Sequence, residues 1–290
     1  MKRKQLIFLL LICTVMLSAQ QVTVVKNYQV MQNLEKSAYY PVISPDGQQL
    51  LFTSENYAGL SLYDLSSGKQ QKVTDAAGAG FDPAFASDEK TILFTEESKL
   101  DGRRYKSLMS FERVSGNRME LVAPQRSNLP LKAAKQQRIQ RKVSTVSVST
   151  EDLKLVLYRN GIRKVMEPVG QVAGYVWASL SPDNAKILFT AASKGTYICD
   201  LEGKIVASLG KLNAPAWYDN QFVVGMDDAD NGDFITSSSV LIVSADGKMR
   251  QNLTPENQIA MYPTASAQSN RIAYNTLDGK IYVMEIAINH

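Results

Sequence analysis

The stretch Tyr40-Pro41-Val42-Ile43-Ser44-Pro45-Asp46-Gly47-Gln48-Gln49-Leu50-Leu51-Phe52-Thr53 decides the fold, because it recurs along the chain. Pro83 to Thr95 repeats it, Trp177 to Thr190 repeats it again, and Tyr262 to Asn275 is a weaker copy. The aromatic near the end of each copy falls at Phe52, Phe94, Phe189 and Tyr274. The first interval is about 42 residues and the next two are each about twice that, so a degenerate copy is expected inside each long gap. Six units follow. A period of about 40–50 residues is that of a propeller or a solenoid.

Each unit has a physical reading. Ser-Pro-Asp-Gly is turn chemistry, with proline presetting φ and glycine supplying a positive φ. Before the turn, Pro41-Val42-Ile43 reads as a short strand, and after it Leu50-Leu51-Phe52-Thr53 is an apolar run of the kind buried on both faces. A second half follows: Leu62-Tyr63-Asp64-Leu65-Ser66-Ser67-Gly68-Lys69, with counterparts at Tyr197–Lys204 and Leu241–Lys248. A strand, a glycine hairpin and an outer strand complete four strands per unit, which is a propeller blade. The chain is therefore expected to be all-β: a six-bladed β-propeller of four-stranded antiparallel blades.

These residues resemble the WD40-like (PD40) repeat of TolB-type β-propellers, whose blades carry S-P-D-G, an apolar strand, then a tyrosine, an aspartate and a glycine before Leu-Thr. The likeness covers most of the chain after Ala38, strongly in blades one, two and four. Blade three is assigned to Ser149–Tyr158, which lacks the Pro-Asp-Gly turn, and blade five to Pro215–Val224. The resemblance implies a protein of the bacterial cell envelope with periplasmic protein partners, such as a peptidoglycan-associated lipoprotein. TolB itself carries a further domain ahead of its propeller, for which this chain leaves no room.

The chain divides into a signal peptide over 1–19, a leader over 20–37, and one propeller domain over 38–290 with an irregular third blade around 123–170. Lys2, Arg3 and Lys4 precede an apolar run from Leu6 to Leu17 that is too short to span a bilayer. Cleavage is expected after Ala19, with retention as an uncleaved anchor the alternative. The bulky Leu11-Ile12 before Cys13 does not suit a lipobox. The mature protein is expected to be periplasmic or secreted, not integral to the membrane, and monomeric. Gln21 to Val30 is β-prone and is expected to supply the outer strand of the last blade, closing the ring and removing an open edge; a disordered leader is the alternative.

Charge and composition exclude several functions. The chain has 32 Lys and Arg against 28 Asp and Glu, and Lys2, Arg3 and Lys4 account for most of the excess. No nucleic-acid partner is expected from that balance. Of two cysteines only Cys199 lies beyond the leader, in a strand where burial suits it. The only histidine is His290, so Ser-His-Asp, Cys-His and His/Cys zinc machinery has no basis elsewhere. No enzyme activity and no cofactor are expected. Ser44, Asp46, Asp88, Ser181 and Asp183 are assigned to the repeat turns as structural groups.

Two charged stretches stand out. Lys132, Lys135, Arg138 and Arg141 form a basic run suited to an anionic partner or to a solvated face. Asp227 to Asp233 alternates side-chain oxygens with a glycine, as a calcium loop does, making Asp228, Asp230 and Asp233 weak metal candidates. Its spacing departs from the EF-hand pattern, and an exposed hairpin between Val224 and Ser239 accounts for it. The functional expectation is a non-catalytic binding or adaptor propeller that docks an envelope protein. The alternative is a glycan-binding or carbohydrate-active propeller working through its central channel, with Trp177 and Trp217 as stacking rings or, more simply, as packing between blades.

Overall fold

A computed structural model describes residues 21–32, 37–86, 88–126 and 146–289. The signal peptide expected over 1–19, the basic run at Lys132, Lys135, Arg138 and Arg141, and His290 lie outside the described residues. The first strand is β1 (Gln21–Gln29). Blade one is β2 (Tyr39–Ile43), β3 (Gln49–Thr53), β4 (Leu60–Asp64) and β5 (Gln70–Thr74); blade two is β6 (Ala84–Phe85), β7 (Thr91–Leu100), β8 (Arg103–Glu112) and β9 (Arg118–Gln125). Blade three is β10 (Val146–Glu151), β11 (Lys154–Arg159) and β12 (Ile162–Met166). Blade four is β13 (Tyr175–Leu180), β14 (Lys186–Ala191), β15 (Gly195–Asp200) and β16 (Ile205–Gly210). Blade five is β17 (Asn213–Trp217), β18 (Phe222–Asp230), β19 (Ile235–Ser244) and β20 (Arg250–Asn252), and blade six is β21 (Ala260–Ser266), β22 (Arg271–Thr276) and β23 (Ile281–Asn289). Every blade is an antiparallel meander, and the whole is a six-bladed β-propeller.

The N-terminal strand closes the ring. β1 pairs antiparallel with β23 from Gln21↔Asn289 to Gln29↔Tyr282, so blade six draws its outer strand from the opposite end of the chain. Val22 is buried in the core cluster with Tyr274, Ile272 and Ile286. The Gln251 side chain, on the outer strand of blade five, accepts from Val22 N and donates to Val22 O.

The repeated aromatic packs into four of the junctions between blades. Phe94 packs with Leu51, Leu60 and Phe111 between blades one and two. Phe189 packs with Val148 and Leu155 between three and four, and Leu188 meets Val223 between four and five. Tyr274 joins Val224 and Ile242 between five and six, while Phe52 meets Ala273 and Val283 between six and one. Each such side chain contributes roughly 1.5–3 kcal/mol of burial. Cys199 is fully buried in the cluster with Phe189, and burial pushes its thiol up to about 12.

The turns are built as their residues suggest. Ser44 Oγ donates to Asp46 Oδ1 at 2.5 Å and accepts from the amides of Gln48 and Gln49. Blade four repeats this, with Ser181 Oγ donating to Asp183 Oδ1 at 2.6 Å and accepting from Lys186 N. Asp88 instead accepts from the amides of Lys90 and Thr91 and from the Thr91 hydroxyl. Gly47 sits at φ 67°, and a Cβ there would lie 1.8 Å from Ser269 Oγ of blade six. Only glycine fits against that neighbour.

Blade three departs from the pattern. Its hairpin pairs Glu151 with Lys154 around a two-residue turn, Asp152-Leu153, with φ of 49° and 61°. Both residues take the left-handed conformation of a type I′ turn without a glycine. Among the described residues the blade has three strands, because only a short turn segment links Met166 to Tyr175.

Replacing Val22 with Asp should destabilise the whole ring by about 3 kcal/mol, since an unpaired carboxylate would enter the core of blade six. Urea unfolding followed by circular dichroism measures this. A midpoint equal to that of the unaltered protein would show that β1 is not part of the cooperative unit.

Candidate functional site

The path of the chain gives the ring two unlike faces. Turns joining first to second and third to fourth strands lie on one face. Each blade's first strand begins on the other face, which also carries the loops joining second to third strands.

The turn face is chemically committed. Asp64 Oδ1 accepts from the hydroxyls and amides of both Ser66 and Ser67, at 2.7–3.1 Å. The Ser66 hydroxyl first, then the Ser67 amide and hydroxyl, hold its carboxyl well below the usual carboxylate range. The Ser181 and Ser244 hydroxyls do the same for Asp183 and Asp246. Glu151 in blade three is buried: desolvation pushes its carboxyl up, but hydrogen bonds from Tyr158, Ser149 and Arg163 outweigh this and keep it below its ordinary value. Arg163 grips it with Nε and Nη2 at 3.0 and 2.9 Å. These carboxylates are occupied in holding the turns and the third blade together.

The loop face carries a different set of residues. The first strands of blades one, four, five and six each bulge near their start, at Tyr40, Trp177, Ala214 and Tyr262, with φ between 44° and 53°. Asp82, just before β6, has φ 52°. Four of these five residues precede a proline: Pro41, Pro83, Pro215 and Pro263. Non-glycine residues rarely adopt this conformation, and a bulge re-aims the side chain it carries. Here the bulges gather aromatics. Tyr40 stacks on Tyr57 at 4.3 Å between ring centroids, meets Tyr262 edge-on at 4.7 Å, and Tyr57 meets Phe81 edge-on at 5.3 Å. Tyr40 N donates to the fully buried Asn275 side chain, which fixes the bulge to blade six. Burial, and then hydrogen bonding to Tyr40, push the Tyr57 phenol up; burial does the same for Tyr262.

Exposed apolar side chains share this face with the cluster. Phe81 is 53% exposed, Trp177 43% and Phe234 74%, with Leu100, Ile162 and Leu277 also exposed. All six lie on the loop face, and blades two to six each contribute at least one; blade one contributes Tyr57. Trp177 is thus partly exposed on this face, whereas Trp217 is half-buried against the core cluster of blades four and five. Two hairpins stand above the rim here: β7–β8 of blade two, turning at Asp101-Gly102, and β18–β19 of blade five, turning over 231–234.

Asp228, Asp230 and Asp233 all belong to the blade-five hairpin. Asp228 Oδ1 accepts from Asn213 Nδ2 at 2.7 Å, Asp230 Oδ1 accepts from Gly232 N, and Asp233 donates its amide to Asn231. Among the described residues no three His, Cys, Asp or Glu side chains gather as a metal site. Sequence reasoning missed Tyr40, Tyr57, Phe81 and Tyr262. The legible signal was the aromatic-proline pair that opens the inner strand, at Tyr40-Pro41 and Tyr262-Pro263.

The fold is thus that of a TolB-like six-bladed propeller whose loop face carries a cluster of aromatic rings. The structure is similar to that of TolB from Acinetobacter baumannii, with a TM-score of 0.54 and 20% identity, over 79% of this chain and 57% of that one. It is also similar to an oligogalacturonate lyase in complex with manganese (TM-score 0.49, 12% identity) and to one from Vibrio parahaemolyticus (TM-score 0.46, 11% identity), each over 87% of this chain and 78% of the other. No protein-family model matches the chain, and no curated protein matches it in sequence. Among the described residues no helix is long and apolar enough to cross a membrane.

The turn carboxylates make stability pH-dependent. Asp64 has a folded pKa below its unfolded value of about 4, so it stabilises the fold above that pH and ceases to as pH falls toward its folded value. Asp64→Asn should cost about 1 kcal/mol at neutral pH, and its deficit against the unaltered protein should narrow toward about pH 2. Urea midpoints across that range are the measurement; a deficit that stays constant would mean the carboxylate charge is not what matters.

Proposed function

We propose that this chain is a non-catalytic binding propeller of the cell envelope, and that it docks a protein partner on its loop face. The observation that carries this is that the three exposed aromatics among the described residues, Phe81, Trp177 and Phe234, all lie on one face, together with Leu100, Ile162 and Leu277. Exposed aromatic side chains gathered on one face suit an interaction site, and aromatic anchors dominate the energetics of protein interfaces. The opposite face has its carboxylates bound into turns and no exposed aromatic among the described residues. The TolB-like fold is in keeping with an adaptor role, and the envelope location rests on the leader read from the sequence.

A second reading is favoured by the Tyr40, Tyr57, Tyr262 and Phe81 cluster: stacked rings at a channel mouth also suit a glycan. The two separate experimentally. In crosslinking capture from intact cells, Phe81→Ala with Trp177→Ala should reduce recovery of a specific envelope protein by about tenfold or more, with unchanged thermal stability. Unchanged recovery would move the site off this face, whereas glycan-array binding lost in the same variant would establish the glycan reading in its place. Reversing Lys132, Lys135, Arg138 and Arg141 to Glu in a parallel arm tests whether the basic run adds to docking.

A further inference from the structure

The two hairpins that rise from the loop face carry opposite charge. In the blade-two hairpin, Glu96 is paired with Arg118, and Glu97 with Lys106 at 3.0 Å. That leaves Lys99, Arg103 and Arg104 exposed around the tip against Asp101 alone. Lys99 and Arg104 lie directly opposite each other in the register. Like charges facing across a hairpin destabilise it unless something acidic comes between or beside them. The blade-five hairpin is the reverse: from Asp227 to Ser239 there are four aspartates and no Lys or Arg. Asp227 is engaged by Arg250 at 3.1 Å and by Lys211 at 3.6 Å, while Asp230 and Asp233 are exposed. Each tip also presents an apolar side chain, Leu100 on the basic hairpin and Phe234 on the acidic one.

Position turns this into a prediction. Both hairpins join the second and third strands of their blades, so both leave the ring on the same face. Blades two and five are three apart in a ring of six, which puts the hairpins diametrically opposite. A two-fold axis lying in the plane of that face, perpendicular to the line between them, sets each basic hairpin against the acidic hairpin of another copy. The face is self-complementary under that rotation and under few others.

We propose that two copies of this chain associate face to face, each blade-two hairpin against the partner copy's blade-five hairpin. Exposed ion pairs alone contribute little, so the apolar tips are the desolvated centre of each contact and the charges select the partner and the register. Symmetry makes every substitution count twice. The same face would then be covered in the dimer, so self-association and docking of another protein would compete.

Sedimentation velocity on the protein as purified, at up to about 100 µM and in low and high salt, tests this without any other partner; its failure leaves the docking reading standing. The unaltered protein should form a dimer whose association weakens about tenfold or more as salt rises. Arg103→Glu with Arg104→Glu makes both hairpins acidic, and Asp230→Lys with Asp233→Lys makes both basic. Each variant alone should be monomeric, and an equimolar mixture of the two should recover the dimer. That recovery also shows that each variant is folded. A monomer at every concentration, a dimer indifferent to the reversals, or a mixture that stays monomeric would overturn the proposal.

Discussion

The pairing of β1 with β23 is the interaction on which the rest of the structure depends. A blade has two faces, and each is covered only by a neighbouring blade. An open row of wedges would leave one sheet face bare at each end and a free edge on the last blade, with the aggregation hazard such an edge brings. Drawing the outer strand of blade six from Gln21–Gln29 ties the segment that leads into blade one to the last blade through a ladder of backbone hydrogen bonds. Gln251 extends that ladder into blade five by bonding both backbone groups of Val22. Phe52, Ala273 and Val283 then fill the junction between blades six and one.

A closed ring also decides where chemistry can reside. Its core is apolar and its short turns need side-chain acceptors for their backbone amides. Asp46, Asp64, Asp88, Asp183 and Asp246 serve as those acceptors. The hydrogen bonds that lower the Asp64, Asp88, Asp183 and Asp246 carboxyls leave those groups poorly suited to act as general acids. Glu151, the most buried of the acidic groups described, is held by a serine, a tyrosine and an arginine rather than left free. What remains for recognition is the face where loop length is not dictated by the repeat, and there the blades differ from one another.

That division explains what could be read from the sequence. The repeat was legible because Ser-Pro-Asp-Gly and the apolar strand after it are local requirements, set by turn geometry and by packing between neighbours. The closing strand was legible because a blade with three strands at the C-terminus and a β-prone segment at the start are complementary. Blade three was harder, since Asp152 and Leu153 adopt the turn conformation that glycine normally marks. Trp177 was misleading for a related reason: its place in the inner strand suggests packing, but it falls in the bulge at Val176–Ser179 and is partly exposed. A bulge is a matter of register, and register depends on the partner strand rather than on the residue itself.

The loop face shows the same limit more strongly, because no single segment encodes it. Tyr262 meets Tyr40, Tyr57 and Phe81 only because the ring closes and brings blade six beside blade one. The basic run at Lys132–Arg141 is conspicuous in the sequence, yet contiguous charge is the easiest kind of patch to notice and says nothing about geometry. Arg103-Arg104 and Asp230–Asp233 are unremarkable where they stand in the chain. Their significance comes from two facts that only the topology supplies: both hairpins join the same pair of strands, and three blades separate them. A surface made of single residues from every blade is specified by the number of blades and the order of strands, so its meaning appears only when the ring is assembled.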